Sequence, residues 1–80
     1  MTFDEFAEQL ALYLPLDRTE ITPASLLHAE GIDSLALLEV LLLMEELAAR
    51  EIPWDLFMSI DTFGEAHEWV AVATEGAPQG

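Results

Sequence analysis

Ser34 has the setting that most invites chemistry. It stands in the run Gly31-Ile32-Asp33-Ser34-Leu35, directly behind an aspartate and at the head of a long apolar segment that runs to Glu46. A serine can serve as a nucleophile toward a substrate or as the acceptor of a modification. The first role needs a base within hydrogen-bond reach and donors for an oxyanion. The imidazoles available are His28 and His67, which form no such arrangement with Ser34, and G-I-D-S-L is not the G-x-S-x-G turn of serine hydrolases. No catalytic residue is assigned, and the chain is expected not to be an enzyme. The second role needs only an exposed hydroxyl. Asp33 can cap a helix and leave Ser34 in its first turn, while Gly31 permits a turn that keeps neighbouring side chains clear. A phosphodiester attached there would meet the positive end of the helix dipole. Asp-Ser at a helix start is also ordinary capping, so the dipeptide alone assigns nothing.

The elements that must position this hydroxyl are helices. Thr2 and Glu5 form a T-x-x-E capping box, and Phe3, Phe6, Ala7, Leu10, Ala11, Tyr13 and Leu14 follow as one apolar face, closed by Pro15. From Pro15 to Asp33 no helical period persists. Leu16, Ile21, Leu26 and Leu27 are expected to tuck into a core, with Asp17, Arg18 and Glu20 left in water and a short helical turn at Thr22-Pro23. A second helix begins at Asp33 or Ser34. At 100° per residue, Leu37, Val40, Leu41, Met44, Leu47 and Ala48 form its buried side, whereas Leu35, Glu39, Leu42 and Glu46 lie nearly opposite, flanked by Leu38 and Glu45. Arg50 is placed in its last turn. Trp54, Leu56, Phe57 and Ile60 suggest a short third helix. A second T-x-x-E box, Thr62 and Glu65, opens a last helix with Phe63, Ala66, Trp69, Val70 and Ala73 inward and His67 on the solvated side. The expectation is an all-α four-helix bundle with three longer helices, one short helix and a long loop between helices one and two, in a domain spanning 1–75 with a flexible tail at 76–80.

Bulk properties narrow the partners. Of 80 residues 52% are hydrophobic, yet 16 Asp and Glu face two basic residues, for a formal charge of −14. Such a surface repels phosphate backbones and anionic lipid, so neither nucleic acid nor membrane is expected, and basic protein partners are. Cysteine is absent, so any thiol chemistry must use an added thiol, and no metal site is assigned. Without a basic start, an apolar signal run or a membrane-length apolar stretch, the chain is expected to be cytoplasmic and monomeric.

Gly31-Ile32-Asp33-Ser34-Leu35 followed by A-L-L-E resembles the G-x-D-S-L motif of acyl carrier proteins, whose serine receives 4'-phosphopantetheine from CoA. The helix order, the T-P-x-S-L-L stretch of the first connection, the E-I-P after helix two and the D-T before the last helix extend the resemblance over residues 2–74. D-S-L-A-L-L-E is similar to the discrete carriers of aromatic (type II) polyketide pathways.

The resemblance implies that Ser34 carries the arm with Asp33 beside it. It also implies that Leu35, Glu39, Leu42, Glu45 and Glu46 meet partner enzymes bearing basic patches. Those partners would be a phosphopantetheinyl transferase, a ketosynthase, an acyltransferase or acyl-activating ligase, and tailoring enzymes, serving polyketide or fatty acid biosynthesis. The family's helices can part around cargo, and Leu41, Met44, Phe57, Ile60 and Val70 are the lining residues this implies, though they describe a closed core equally well. Two segments depart from the family's usual pattern: Ala29-Glu30 stands where D-L precedes G, and Pro53–Met58 is more apolar. The alternatives are a free-standing peptidyl carrier and, from a different class, an unmodified acidic helical adaptor for a basic protein.

Overall fold

The computed structural model describes residues 1–28 and 32–75. The turn expected at Gly31 and the tail expected at 76–80 lie outside the described residues. Among those described, the architecture is an all-α bundle: α1 (Phe3–Ala11), a 3-10 turn (Arg18–Glu20), α2 (Ser34–Ala48), α3 (Trp54–Met58) and α4 (Phe63–Glu75). Among the described residues no helix is long and apolar enough to cross a membrane.

α1 starts where its capping box predicts. Glu5 N–H donates to Thr2 Oγ1 at 3.2 Å and Thr2 N–H to Glu5 Oε1 at 2.9 Å. The backbone N–H of Thr2, and secondarily its hydroxyl, hold the Glu5 carboxyl below the usual carboxylate range. Phe6, Ala7 and Leu10 are buried. The helix closes at Ala11, four residues ahead of Pro15, which has no N–H to offer the Ala11 carbonyl and whose ring crowds it. Leu14 still turns inward, but Tyr13 is exposed rather than part of the apolar face.

The long connection is held by hydrogen bonds. Arg18 is half-buried, donating to Asp4 of α1 at 2.8 Å and to the Ile21 carbonyl at 3.1 Å, so it straps the loop to the first helix instead of standing free in water. At Thr22-Pro23 the chain closes a single turn, Ser25 N–H donating to the Thr22 carbonyl at 3.0 Å, without extending into a helix. In it the Ser25 hydroxyl donates to the Glu20 carbonyl at 2.8 Å and accepts from Thr22 N–H at 3.1 Å. The chain then runs antiparallel to the entry of α4, through an isolated bridge between Leu26 and Thr62. Leu27 N–H donates to Asp61 O at 2.8 Å, Phe63 N–H to Ser25 O at 3.0 Å and Gly64 N–H to Pro23 O at 3.0 Å. Extended neighbours point to opposite sides, so Leu27 enters the core and Leu26 is exposed, contrary to the expectation that both tuck in.

These carbonyls replace part of the expected cap on α4. Glu65 N–H does donate to Thr62 Oγ1 at 3.1 Å, but the Glu65 carboxylate reaches Asp61 N–H at 3.4 Å, one residue upstream of a closed box. His67 is half-buried rather than free in water: its Nε2 lies 2.9 Å from the Met1 carbonyl, and its ring sits 5.7 Å from Phe3 and 5.8 Å from Phe6, between α4 and the start of α1.

α2 packs chiefly against α4. Val40 and Met44 of α2 join Phe6, Leu10, Ile21, Leu27, Phe57, Phe63 and Val70 as the fully buried large side chains of one core, and no polar or charged residue is buried among those described. α2 ends at Ala48, two residues before Arg50, which therefore lies beyond the last turn. Ala49 takes a left-handed conformation at φ 57°, with Ala49 N–H bonded to Glu46 O at 3.3 Å and Arg50 N–H to Glu45 O at 3.2 Å. This is the Schellman arrangement with alanine where glycine is favoured. An L-residue in this conformation costs roughly 1–2 kcal/mol. Ala49→Gly should accordingly raise the melting temperature by about 5 °C in a thermal unfolding scan, since about 1 kcal/mol moves a domain of this size by that much.

Candidate functional site

Ser34 is the first residue of α2 and is exposed. Asp33 precedes it in extended conformation, and its Oδ1 accepts from Ala36 N–H at 2.8 Å, so the cap is supplied by the aspartate and not by the serine. The Asp33 carbonyl takes the Leu37 N–H at 2.9 Å. The Ser34 hydroxyl makes no hydrogen bond to any described residue. The result is an exposed primary hydroxyl, unbonded among the described residues, at the positive end of a 15-residue helix and beside a carboxylate already engaged with the backbone.

Neither imidazole approaches it as a base. The Nε2 of His28 is 3.1 Å from the Ile60 carbonyl, tying the first connection to the segment after α3, and His67 is held against α1. Among the described residues no group of three or more His, Asp or Glu is placed to hold a metal ion.

The surface of α2 that continues from Ser34 is apolar. Leu35, Leu38 and Leu42 are 43–65% exposed and, at 100° per residue, share the solvent arc with Ser34 and Glu46. Glu39 is half-buried along one border of this strip. The structure thus places Leu35, Glu39, Leu42 and Glu46 on one face, as their spacing predicts, and Leu38 belongs within the strip where periodicity put it at the edge. On the opposite arc the buried set is Ala36, Val40, Leu41, Leu43, Met44 and Ala48, with Leu37 and Leu47 partly covered. Ala36 and Leu43 are buried although helical spacing does not single them out. α2 carries leucines on every side, its glutamates notwithstanding, so periodicity gives little to fix the centre of its buried side.

The two adjacent glutamates near its end differ. Glu46 is exposed, whereas Glu45 is half-buried and its Oε2 accepts the Ile52 N–H at 2.8 Å, anchoring the connection that leads into α3. Glu45 thus has a structural bond that Glu46 lacks. Glu45→Ala should lower stability in chemical denaturation by about 1–2 kcal/mol through the orphaned N–H, and Glu46→Ala should stay within about 0.5 kcal/mol of wild type. Each removes one negative charge, so the contrast isolates the hydrogen bond.

Leu41, Met44, Phe57, Ile60 and Val70 are all buried in the core. Of these, Ile60 also borders an open groove of about 400 Å³, which lies between Ser59 and Ile60 after α3, Arg50 after α2, and Trp69, Val72 and Ala73 of α4. Arg50 follows the far end of α2, and the helix itself is about 22 Å long, so the groove does not adjoin Ser34.

Protein-family models give no match to this chain, and no curated protein matches it.

Proposed function

We propose that this chain is an acyl carrier: Ser34 bears a 4'-phosphopantetheine arm, and the exposed strip of α2 presents the arm to partner enzymes. The observation that carries the reading is the exposed Ser34 hydroxyl at the first position of α2, a helix capped independently by Asp33, within the G-I-D-S-L motif. Transfer from CoA forms a phosphodiester at the serine oxygen, with loss of the serine proton and release of the nucleotide half of CoA. The two backbone N–H groups at Ser34 and Leu35 have no acceptor among the described residues and face the same end of the helix as the new anion would. The distal thiol of the arm supplies what this cysteine-free chain lacks, and a thioester formed on it carries the acyl or polyketide intermediate. Cytoplasmic partners with basic patches complement Glu39 and Glu46, while Leu35, Leu38 and Leu42 supply the apolar centre of the contact.

The test is the rate of transfer from CoA by a broad-specificity phosphopantetheinyl transferase. The wild-type chain is expected to accept one arm, and Glu39→Lys together with Glu46→Lys to lower kcat/KM on the order of tenfold, with the deficit shrinking as salt is raised. A folded wild-type chain that accepts no arm, but loses binding to a basic protein on the same charge reversals, would point instead to an unmodified adaptor.

A further inference from the structure

The end of the first connection is strapped to the entry of α4. Three backbone bonds hold it, from Gly64 N–H to Pro23 O, Phe63 N–H to Ser25 O and Leu27 N–H to Asp61 O. A fourth rung follows, made by a side chain: His28 Nε2 lies 3.1 Å from the Ile60 carbonyl, across 32 residues of sequence. A carbonyl can only accept, so this nitrogen carries the proton and Nδ1 is the bare one in the neutral ring. α2 and α3 both lie between His28 and Ile60, so the rung closes the stretch of chain that carries Ser34.

Packing does not account for this residue. His28 is exposed, whereas Leu27 beside it and Ile60 opposite are in the core. With the backbone rungs and those two side chains in place, one more hydrogen bond from an exposed side chain adds little to folding. Its effect falls on the chain that leads into α2. Asp33 follows His28 by five residues, a reach of at most about 18 Å, so the place where His28 is held limits where the start of α2 is fed from. That start needs support from behind. The N–H groups of Ser34 and Leu35 have no acceptor among the described residues, so the serine is steadied by the cap, by buried Ile32 and by the chain before them. Transfer of a phosphoryl group demands alignment of the attacking oxygen, and slack in the chain behind that oxygen lowers the rate without weakening the encounter.

We propose that His28 is a positioning residue for Ser34, its bond to the Ile60 carbonyl fixing the chain that feeds the start of α2. This rests on Ser34 being the attachment site.

Transfer from CoA by a broad-specificity phosphopantetheinyl transferase would be followed for the wild type, His28→Ala, His28→Gln and Arg18→Ala, each checked for folding by its melting temperature. His28→Ala should lower kcat about 3- to 10-fold with KM little changed. Glutamine keeps an N–H that can reach the carbonyl, so His28→Gln should stay within about twofold of wild type. Arg18→Ala releases the other end of the same connection from α1 and should also stay within about twofold, which separates positioning from general loosening. Nitrogen NMR of the wild-type imidazole should show the proton on Nε2. A His28→Ala chain with wild-type kcat, a loss that His28→Gln does not repair or that Arg18→Ala reproduces, or a bare Nε2 would overturn the positioning role and leave the carrier reading standing. A folded wild-type chain that takes no arm would overturn both.

Discussion

Ser34→Ala should yield a chain that folds like the wild type and takes up no phosphopantetheine. Loss of modification means little if the variant unfolds, and here the geometry separates the two effects. The Ser34 side chain is exposed and bonds to no described residue, so alanine should change stability by no more than about 0.5 kcal/mol. The cap belongs to Asp33, whose bond to Ala36 N–H is untouched by the substitution. Asp33→Ala is the informative counterpart: it should cost about 1 kcal/mol through the lost cap while leaving the hydroxyl in the chain. A Ser34→Ala chain that keeps its melting temperature and loses all transfer assigns the chemistry to one oxygen atom.

Gly64→Ala should be the most destabilising of the small substitutions considered. The added methyl group would stand 2.7 Å from the Pro23 carbonyl oxygen and 3.2 Å from the Pro23 Cα, both backbone atoms that cannot swing aside as a side chain would. Relief requires the 23–27 segment to lift from the entry of α4. That movement strains the bonds Gly64 N–H to Pro23 O, Phe63 N–H to Ser25 O and Leu27 N–H to Asp61 O together. Overpacking of this kind costs about 1–3 kcal/mol, a large share of the stability of an 80-residue domain. The melting temperature should fall by about 5–15 °C. A melting temperature within a degree of wild type would show that the loop and α4 are not in close backbone contact.

The helix starts were legible because their signals are local. Thr2 and Glu5 lie within one turn of each other, and Asp33 caps a bond only three residues away. Tertiary neighbours decide what was not legible. Gly64 reads as an unremarkable residue in a helix until Pro23 is seen against it. Ala49 carries no glycine to announce the left-handed end of α2, so sequence placed Arg50 inside the helix. Leu26 and Leu27 are equally apolar, and only the bridge to Thr62 determines which one faces out. His67 is read as polar and outward from its helical position, whereas the start of α1 folds over it. For the candidate site, Ser34, Asp33 and the Leu35, Glu39, Leu42, Glu46 face follow from motif and periodicity. The difference between Glu45 and Glu46 does not, since it depends on where Ile52 comes to rest. The exposure of Trp54, Leu56 and Met58 is likewise a matter of packing: an apolar pentapeptide next to a core would ordinarily be placed inside it.

Intact-mass spectrometry of the wild-type chain after incubation with CoA and a broad-specificity phosphopantetheinyl transferase reads the role of Ser34 most directly. The mass should rise by one phosphopantetheine group, located on the peptide that contains Ser34. A folded chain that keeps its unmodified mass, or that gains the group at any other residue, would contradict the assignment of Ser34 as the attachment point.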